Sequence, residues 1–258
     1  MSTVERLNEV LAATSLPAEL TSGLSREALD LWLMSEPDLA LLASDLALCH
    51  PCPSGGEARV RAVELDRVGT WRFTVVGPDR AGLLADTTGV LAAAGIGVVA
   101  ASALTLDDAG LAVQSLTVSA PRLDAEGWAA VGPRMQAAVL GTVSRPRFHP
   151  AGVTEVSATG QPGGLMLVTV SAPDQLGLLC AVCGLLADQG VSIEVAMVGG
   201  AGGRAEDVFL VRGDVDVSVM AAGLSAAGRS RLAEQVAELA GRTPVVGGLL
   251  RRALEAVI

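Results

Sequence analysis

Two stretches of β-type residues, Trp71 to Val76 (WRFTVV) and Leu165 to Val170 (LMLVTV), each run into a turn and then into apolar residues at helical spacing. In the first stretch Leu84, Thr88 and Leu91 share one stripe, with Leu83, Val90 and Ala94 beside it. In the second the matching stripe is Leu179, Cys183 and Leu186. Gly95 and Gly190 stand where a glycine that ends a helix is expected. Apolar runs follow, Ile96 to Ala103 and Val191 to Val198. Turns rich in Asp or Gly come next, then further strand-like runs, Leu111 to Val118 and Ala205 to Val211. Helical stretches close each unit, about 124–140 and 225–239, and extended runs precede each, Val60 to Leu65 and Val153 to Ala158.

The pattern is a duplication. Pro78 to Gly95 reads PDRAGLLADTTGVLAAAG and Pro173 to Gly190 reads PDQLGLLCAVCGLLADQG, so nine of 18 positions are identical at an offset of 95. That offset is too long for a solenoid and suits a repeated domain. Strand, helix, strand, strand, helix, plus one edge strand folds as a split βαβ. The expectation is an α+β protein: two ferredoxin-like βαββαβ units with antiparallel sheets, at 57–160 and 161–258. A helical segment and linker over 1–56 precede them, with helix expected over Val4 to Ala13 and Ser25 to Leu48. Exposed sheet edges favour pairing of the two units, within the chain or between chains.

Composition narrows the function. The net charge is −10 and every basic residue is Arg, with no basic run. That disfavours nucleic acid and anionic membranes as partners. Thr87 to Leu106 is uncharged and long enough for a bilayer, but Gly95-Ile96-Gly97 interrupts it and its repeat counterpart carries Asp188 and Glu194. Glu5 and Arg6 break the N-terminus before an apolar signal forms. A cytoplasmic protein with reduced thiols is expected.

The chemistry-bearing feature is the turn Pro-Asp-x-x-Gly-Leu-Leu between strand and helix. A helix start offers amide hydrogens without intrahelical partners and a dipole that favours anions. Gly82 and Gly177 leave room for close approach. Asp79 and Asp174 either accept from an ammonium group or cap the helix; the spacing leaves both open. An α-amino acid carries both complementary charges on one carbon.

Both repeats resemble ACT domains over about residues 59–258, on the Asp-x-x-Gly-Leu-Leu turn, the helix ending in Gly-Ile or Gly-Val, and the two strands after it. Glu206-Asp207-Val208-Phe209 resembles the third-strand signature of the tandem ACT repeats that end bacterial uridylyltransferase/uridylyl-removing nitrogen sensors. Arg59-Val60-Arg61 through Val76, and Leu16-Pro17 through Leu48, resemble the lead-in to those repeats. The resemblance implies a non-catalytic, allosteric amino-acid sensor of nitrogen metabolism, with glutamine as the first effector. It would act as a homodimer or on a protein partner, with ligand at an interface between ACT units. It places the site at Asp79, Arg80, Ala81, Gly82, Leu83 and Leu84, and at Asp174, Gln175, Leu176, Gly177, Leu178 and Leu179. Many ligand-binding members carry Asn or Asp just after the Gly-Ile; here Gly97 and Ser192 stand there, so Ser192 joins the second set and the first repeat is the weaker binder. A ligand-independent interaction or oligomerisation module is the alternative.

No enzyme motif competes. Without Lys there is no Walker lysine or Schiff-base nucleophile, and no G-x-S-x-G or H-E-x-x-H occurs. His50 and His149 lie in loop-like segments. Gly199 to Gly203 precedes a strand, unlike a dinucleotide fingerprint. Cys49/Cys52 and Cys180/Cys183 have zinc-like spacing, but the second pair falls within the repeat helix with Cys183 on its core stripe, so no metal and no cofactor is expected.

Overall fold

A computed structural model describes residues 38–225 apart from 55, 66–67, 121–122, 151 and 153–154, together with residues 5, 9, 12, 32 and 33. Residues 5, 9, 12, 32 and 33 are helical. Helix α1 (Leu39–Ala47) begins at Asp38, whose side chain caps the amides of Ala40 and Leu41. Asp38 itself lies outside the helix, so helical structure is not continuous over the expected 25–48 segment. The first repeat comprises β1 (Arg59–Glu64), β2 (Thr70–Pro78), α2 (Leu83–Ala93), β3 (Gly97–Leu106), β4 (Leu111–Ser119) and α3 (Ala125–Val139). The second comprises β5 (Glu155–Gln161), β6 (Leu165–Pro173), α4 (Leu178–Asp188), β7 (Ser192–Val198), the short β8 (Gly200–Ala201), β9 (Arg204–Arg212) and a helix α5 beginning at residue 217. Asp216 caps α5 through the amides of Ser218 and Val219. The helix expected at 225–239 lies, beyond its first residue, outside the described residues.

The strands form one antiparallel sheet in the order β1-β2-β4-β3-β7-β9-β6-β5, with β8 added to β9. Each repeat is a ferredoxin-like layer whose edge place is taken by the strand that comes first in the chain. The repeats meet where β3 pairs β7, from Ala101 opposite Val198 to Leu104 opposite Val195. Edge-to-edge pairing therefore occurs within the chain. Both inner strands carry a bulge at the same repeat position, between Val98 and Ala100 and between Ile193 and Val195. The domain boundary expected at 160/161 falls inside β5, whose pairing with β6 assigns residues 155–160 to the second repeat.

Apolar residues from both sheet halves and from α2 to α5 form one core, with Leu91, Phe73 and Met135 in the first repeat and Leu186, Phe209 and Met220 in the second. Helix α1 lies on the other face. Leu42 and Leu46, with Trp32, pack on Val76, Val113 and Leu104, and the cluster reaches Val195 and Leu210 across the seam. Asp45 is wholly buried there. Its carboxylate accepts from Arg72 at 2.5 Å and 3.0 Å, from Thr74 at 2.5 Å, from Ser115 at 2.7 Å and from Arg61 at 3.3 Å. A buried charge so fully paired fixes the register of α1 on the sheet. The Thr87 to Leu106 stretch divides into the end of α2 and strand β3 at Gly95 (φ 74°). No helix among the described residues is long and apolar enough to cross a membrane.

Candidate functional site

The two strand-to-helix corners are built alike. Asp79 N donates to Gly110 O and Asp174 N to Gly203 O, both at 2.9 Å, so each corner is tied to the hairpin of its own repeat. The residue that starts each helix is glycine, Gly82 at φ 80° and Gly177 at φ 86°, a backbone shape that disfavours any other residue. The N-cap position of each helix is this glycine, which makes no side-chain cap bond. The first i→i−4 bonds close at Asp86 N to Gly82 O and Ala181 N to Gly177 O. The amides of Leu84 and Ala85, and of Leu179 and Cys180, lie ahead of those bonds without an intrahelical acceptor.

The surroundings of the two corners differ. At the first, all six candidate residues from Asp79 to Leu84 line a void of about 30 Å³, room for roughly one water. Its other walls are the end of α4 (Ala187) and the start of β7 (Val191, Ile193). Arg80 donates to Asp86 Oδ2 at 2.6 Å and to the carbonyls of Ala138 and Val139, completing the C-terminal end of α3.

At the second corner, the six candidates from Asp174 to Leu179 line a cavity of about 680 Å³. The first repeat supplies the facing wall: Ala92 from α2, and Ile96, Gly97, Val98 and Val99 leading into β3. The Gly199–Gly203 hairpin supplies the side, and Asp207 of β9 lies in the lining. Leu176 and Val99 stand half exposed at the rim.

Asp207 is 2 % exposed, and its Oδ1 has no hydrogen-bond partner among the described residues. Burial pushes its carboxyl up to about 7; the nearby Asp174 and Glu206 carboxylates add to the rise, and a hydrogen bond from the Gly199 backbone opposes it. A buried carboxyl with a raised pKa and an unpartnered oxygen in a cavity lining is a candidate functional position. The same sheet position in the first repeat shows the contrast. Val75 pairs with Gln114 and Val170 pairs with Asp207. Gln114 is satisfied by the Thr87 hydroxyl at 2.6 Å, but the repeat counterpart of Thr87 is Val182, which offers no hydroxyl.

Cys180 also lines the large cavity. Burial pushes its thiol up to about 11, so little thiolate forms near neutrality. Cys183 is raised well above the usual range by burial, and Cys49 is pushed up to about 12 by the same cause. Cys52 is exposed.

Each set of six corner residues is brought together as expected from sequence. Ser192 is not brought to its corner. On β7 it pairs with Arg212 of β9 and lines neither cavity, while its neighbours Val191 and Ile193 face the first corner. Conversely Gly97, the position assigned to the first repeat's site, faces the second. The start of the inner strand in each repeat serves the other repeat's corner because the sheets join across β3 and β7. Sequence reasoning missed Asp207 and the Ile96–Val99 wall as site residues. The signal for Asp207 was its register opposite Val170, matched to Gln114 opposite Val75, a shift of 93 residues rather than 95.

A family model described as the ACT domain matches residues 166–222, from β6 into α5 of the second repeat. No curated protein matches the chain. Among solved structures, an aspartate kinase from Synechocystis is similar at 19% identity, with a TM-score of 0.34, over 60% of this chain and 26% of the kinase chain. An unknown protein from Galdieria sulphuraria is similar at 20% identity, with a TM-score of 0.25, over 56% of this chain and 82% of that chain. The chain thus spans about a quarter of the kinase it resembles.

Proposed function

We propose that the second corner binds a free α-amino acid and that the chain is a non-catalytic regulatory module whose conformation this ligand sets. The observation that carries the reading is the buried Asp207, whose Oδ1 has no partner among the described residues, in a cavity also lined by Leu179 and Cys180 at the start of α4. The ligand's carboxylate would accept from the Leu179 and Cys180 amides, where the helix dipole favours negative charge. Its ammonium group would meet Asp207 and Asp174, replacing the mutual repulsion of two carboxylates with a charge-assisted contact. The ACT match over the second repeat supports an amino-acid ligand.

The wall facing this polar end is apolar: Ile96, Val98 and Val99 opposite Leu176. It suits an aliphatic side chain better than the carboxamide of glutamine, which would bring polar atoms against that wall. Because the walls come from both repeats, the ligand would sit at an interface between them and favour the state in which the β3–β7 seam is closed. A ligand biases a protein only by its differential affinity for two states, and a seam-bridging ligand has such a preference. A protein partner that reads the seam would then be controlled by the amino acid.

Isothermal titration with the common L-amino acids tests this reading. An aliphatic amino acid is expected to bind, with Asp207→Asn losing the heat signal. Glutamine as the strongest ligand would overturn the preference for an aliphatic side chain. Silence across the whole set would remove the sensor reading and leave a ligand-independent interaction module.

A further inference from the structure

We infer that the two duplicated corners have taken different roles: Arg145 of the inter-repeat linker is the first corner's own occupant, and an external ligand has one place per chain, the second corner. The count of one rests on the ligand reading above; the closure of the first corner stands without it.

The linker that follows α3 runs over the helix layer as a strap. Arg145 Nε donates to Asp86 Oδ1 at 2.7 Å, and Asp86 also receives Arg80, so one carboxylate in the first turn of α2 holds two guanidinium groups. The same guanidinium lies 3.9 Å from Asp188 at the far end of α4, joining the two repeats. It sits so close over Gly82 that a Cβ there would collide with it; the Phe148 ring of the same linker covers Gly177 as closely, so the two turns differ in the charge of what covers them. A cation in the linker thus fills the side of the turn that glycine leaves free, and its charge is matched from within the chain.

A second observation is independent of the strap. The buried polar residue beneath the first corner, Gln114, has its hydroxyl partner in Thr87. The residue in the same place beneath the second, Asp207, keeps an oxygen unpartnered, and the helix position that matches Thr87 holds Val182, which has no hydroxyl. The asymmetry extends to the acid: the counterpart of Asp86 is Ala181 and the counterpart of Arg80 is Gln175, so the second corner has no comparable internal ion pair at those positions. Volumes follow the same order, about 30 Å³ against about 680 Å³. Around the first corner Asp86 pairs with Arg80 and Arg145 and Gln114 with Thr87, whereas at the second Asp207 Oδ1 has no partner among the described residues.

Two measurements on the full chain test this. Amide hydrogen exchange by NMR, corrected for intrinsic rates, should show Leu84 and Ala85 exchanging at least about tenfold slower than Leu179 and Cys180. Arg145→Ala, or the milder Arg145→Gln if alanine does not fold, should speed the first pair about tenfold and leave the second pair unchanged. Equal rates in the unaltered protein, or a first pair indifferent to both substitutions, would overturn the closure. Equilibrium dialysis against the common L-amino acids should saturate at one ligand per chain, and two per chain would overturn the inference. If none of them binds, the ligand reading fails by itself and the exchange rates still decide whether the first corner is shut.

Discussion

Replacing Asp207 with Asn should make the protein more stable at pH 8 while removing ligand binding. The carboxyl is 2 % exposed and burial lifts it from 3.8 to about 7. A group whose folded value is raised binds more protons in the folded state, so its presence costs stability as pH rises from about 4 to about 7 and the full cost remains above that. A shift of roughly three units at about 1.36 kcal/mol each sets the upper bound near 4 kcal/mol. The Asn amide still needs partners and returns about 1–3 kcal/mol of that. The net gain expected at pH 8 is therefore about 1–3 kcal/mol, shrinking to zero or below at pH 4, where the native carboxyl is already neutral. Urea denaturation followed by circular dichroism at pH 4 and pH 8 reads the difference directly, with unchanged m-values as the check on two-state behaviour. A loss of stability at pH 8 that matches the loss at pH 4 would refute the reasoning, because it would show the ionised carboxylate to be satisfied in the folded chain. The same titration makes ligand affinity fall below about pH 7, as protonation removes the acceptor for the ammonium group.

Three further outcomes follow from other parts of the structure. Asp45→Ala strands the buried Arg72 without its main acceptor and should cost about 3–5 kcal/mol in chemical denaturation; a cost under about 1 kcal/mol would mean that α1 is not anchored by this charge. Gly177→Ala should be more damaging than Gly190→Ala, since both glycines have positive φ but only the first would drive a Cβ into the Phe148 ring; the excess, about 1–3 kcal/mol by thermal denaturation, should shrink in a Gly177→Ala, Phe148→Ala double variant. Of the four thiols, native protein at pH 8 should release one fast equivalent with an aromatic disulfide reagent, from the exposed Cys52, and rapid reaction of Cys180 or Cys183 would contradict their burial.

What could be read in advance follows the range of each interaction. The helices and strands of both repeats rest on local periodicity, and Leu84, Leu91, Leu179 and Leu186 sit on buried faces as their spacing requires. The corners were visible because a glycine at positive φ leaves its mark in the sequence, and Gly82 and Gly177 carry it twice. The join across β3 and β7 was not visible, since nothing local distinguishes an inner edge from an outer one. That is why Ser192, which lines neither cavity, was grouped with the second corner and why the Ile96–Val99 wall went unseen. Asp207 lay inside a recognised strand motif, yet its meaning depends on Val182 lacking a hydroxyl that Thr87 supplies in the other half. Arg145 belongs to a linker without periodicity, and its hold on Asp86, 59 residues away in sequence, is a tertiary fact.

Backbone amide shifts during titration with a single aliphatic amino acid put the whole account to the proof. Leu179 and Cys180 should move, together with the Gly199–Gly203 hairpin, while Leu84 and Ala85 stay still. Movement centred on the first corner, or none anywhere with any of the common amino acids, would contradict it.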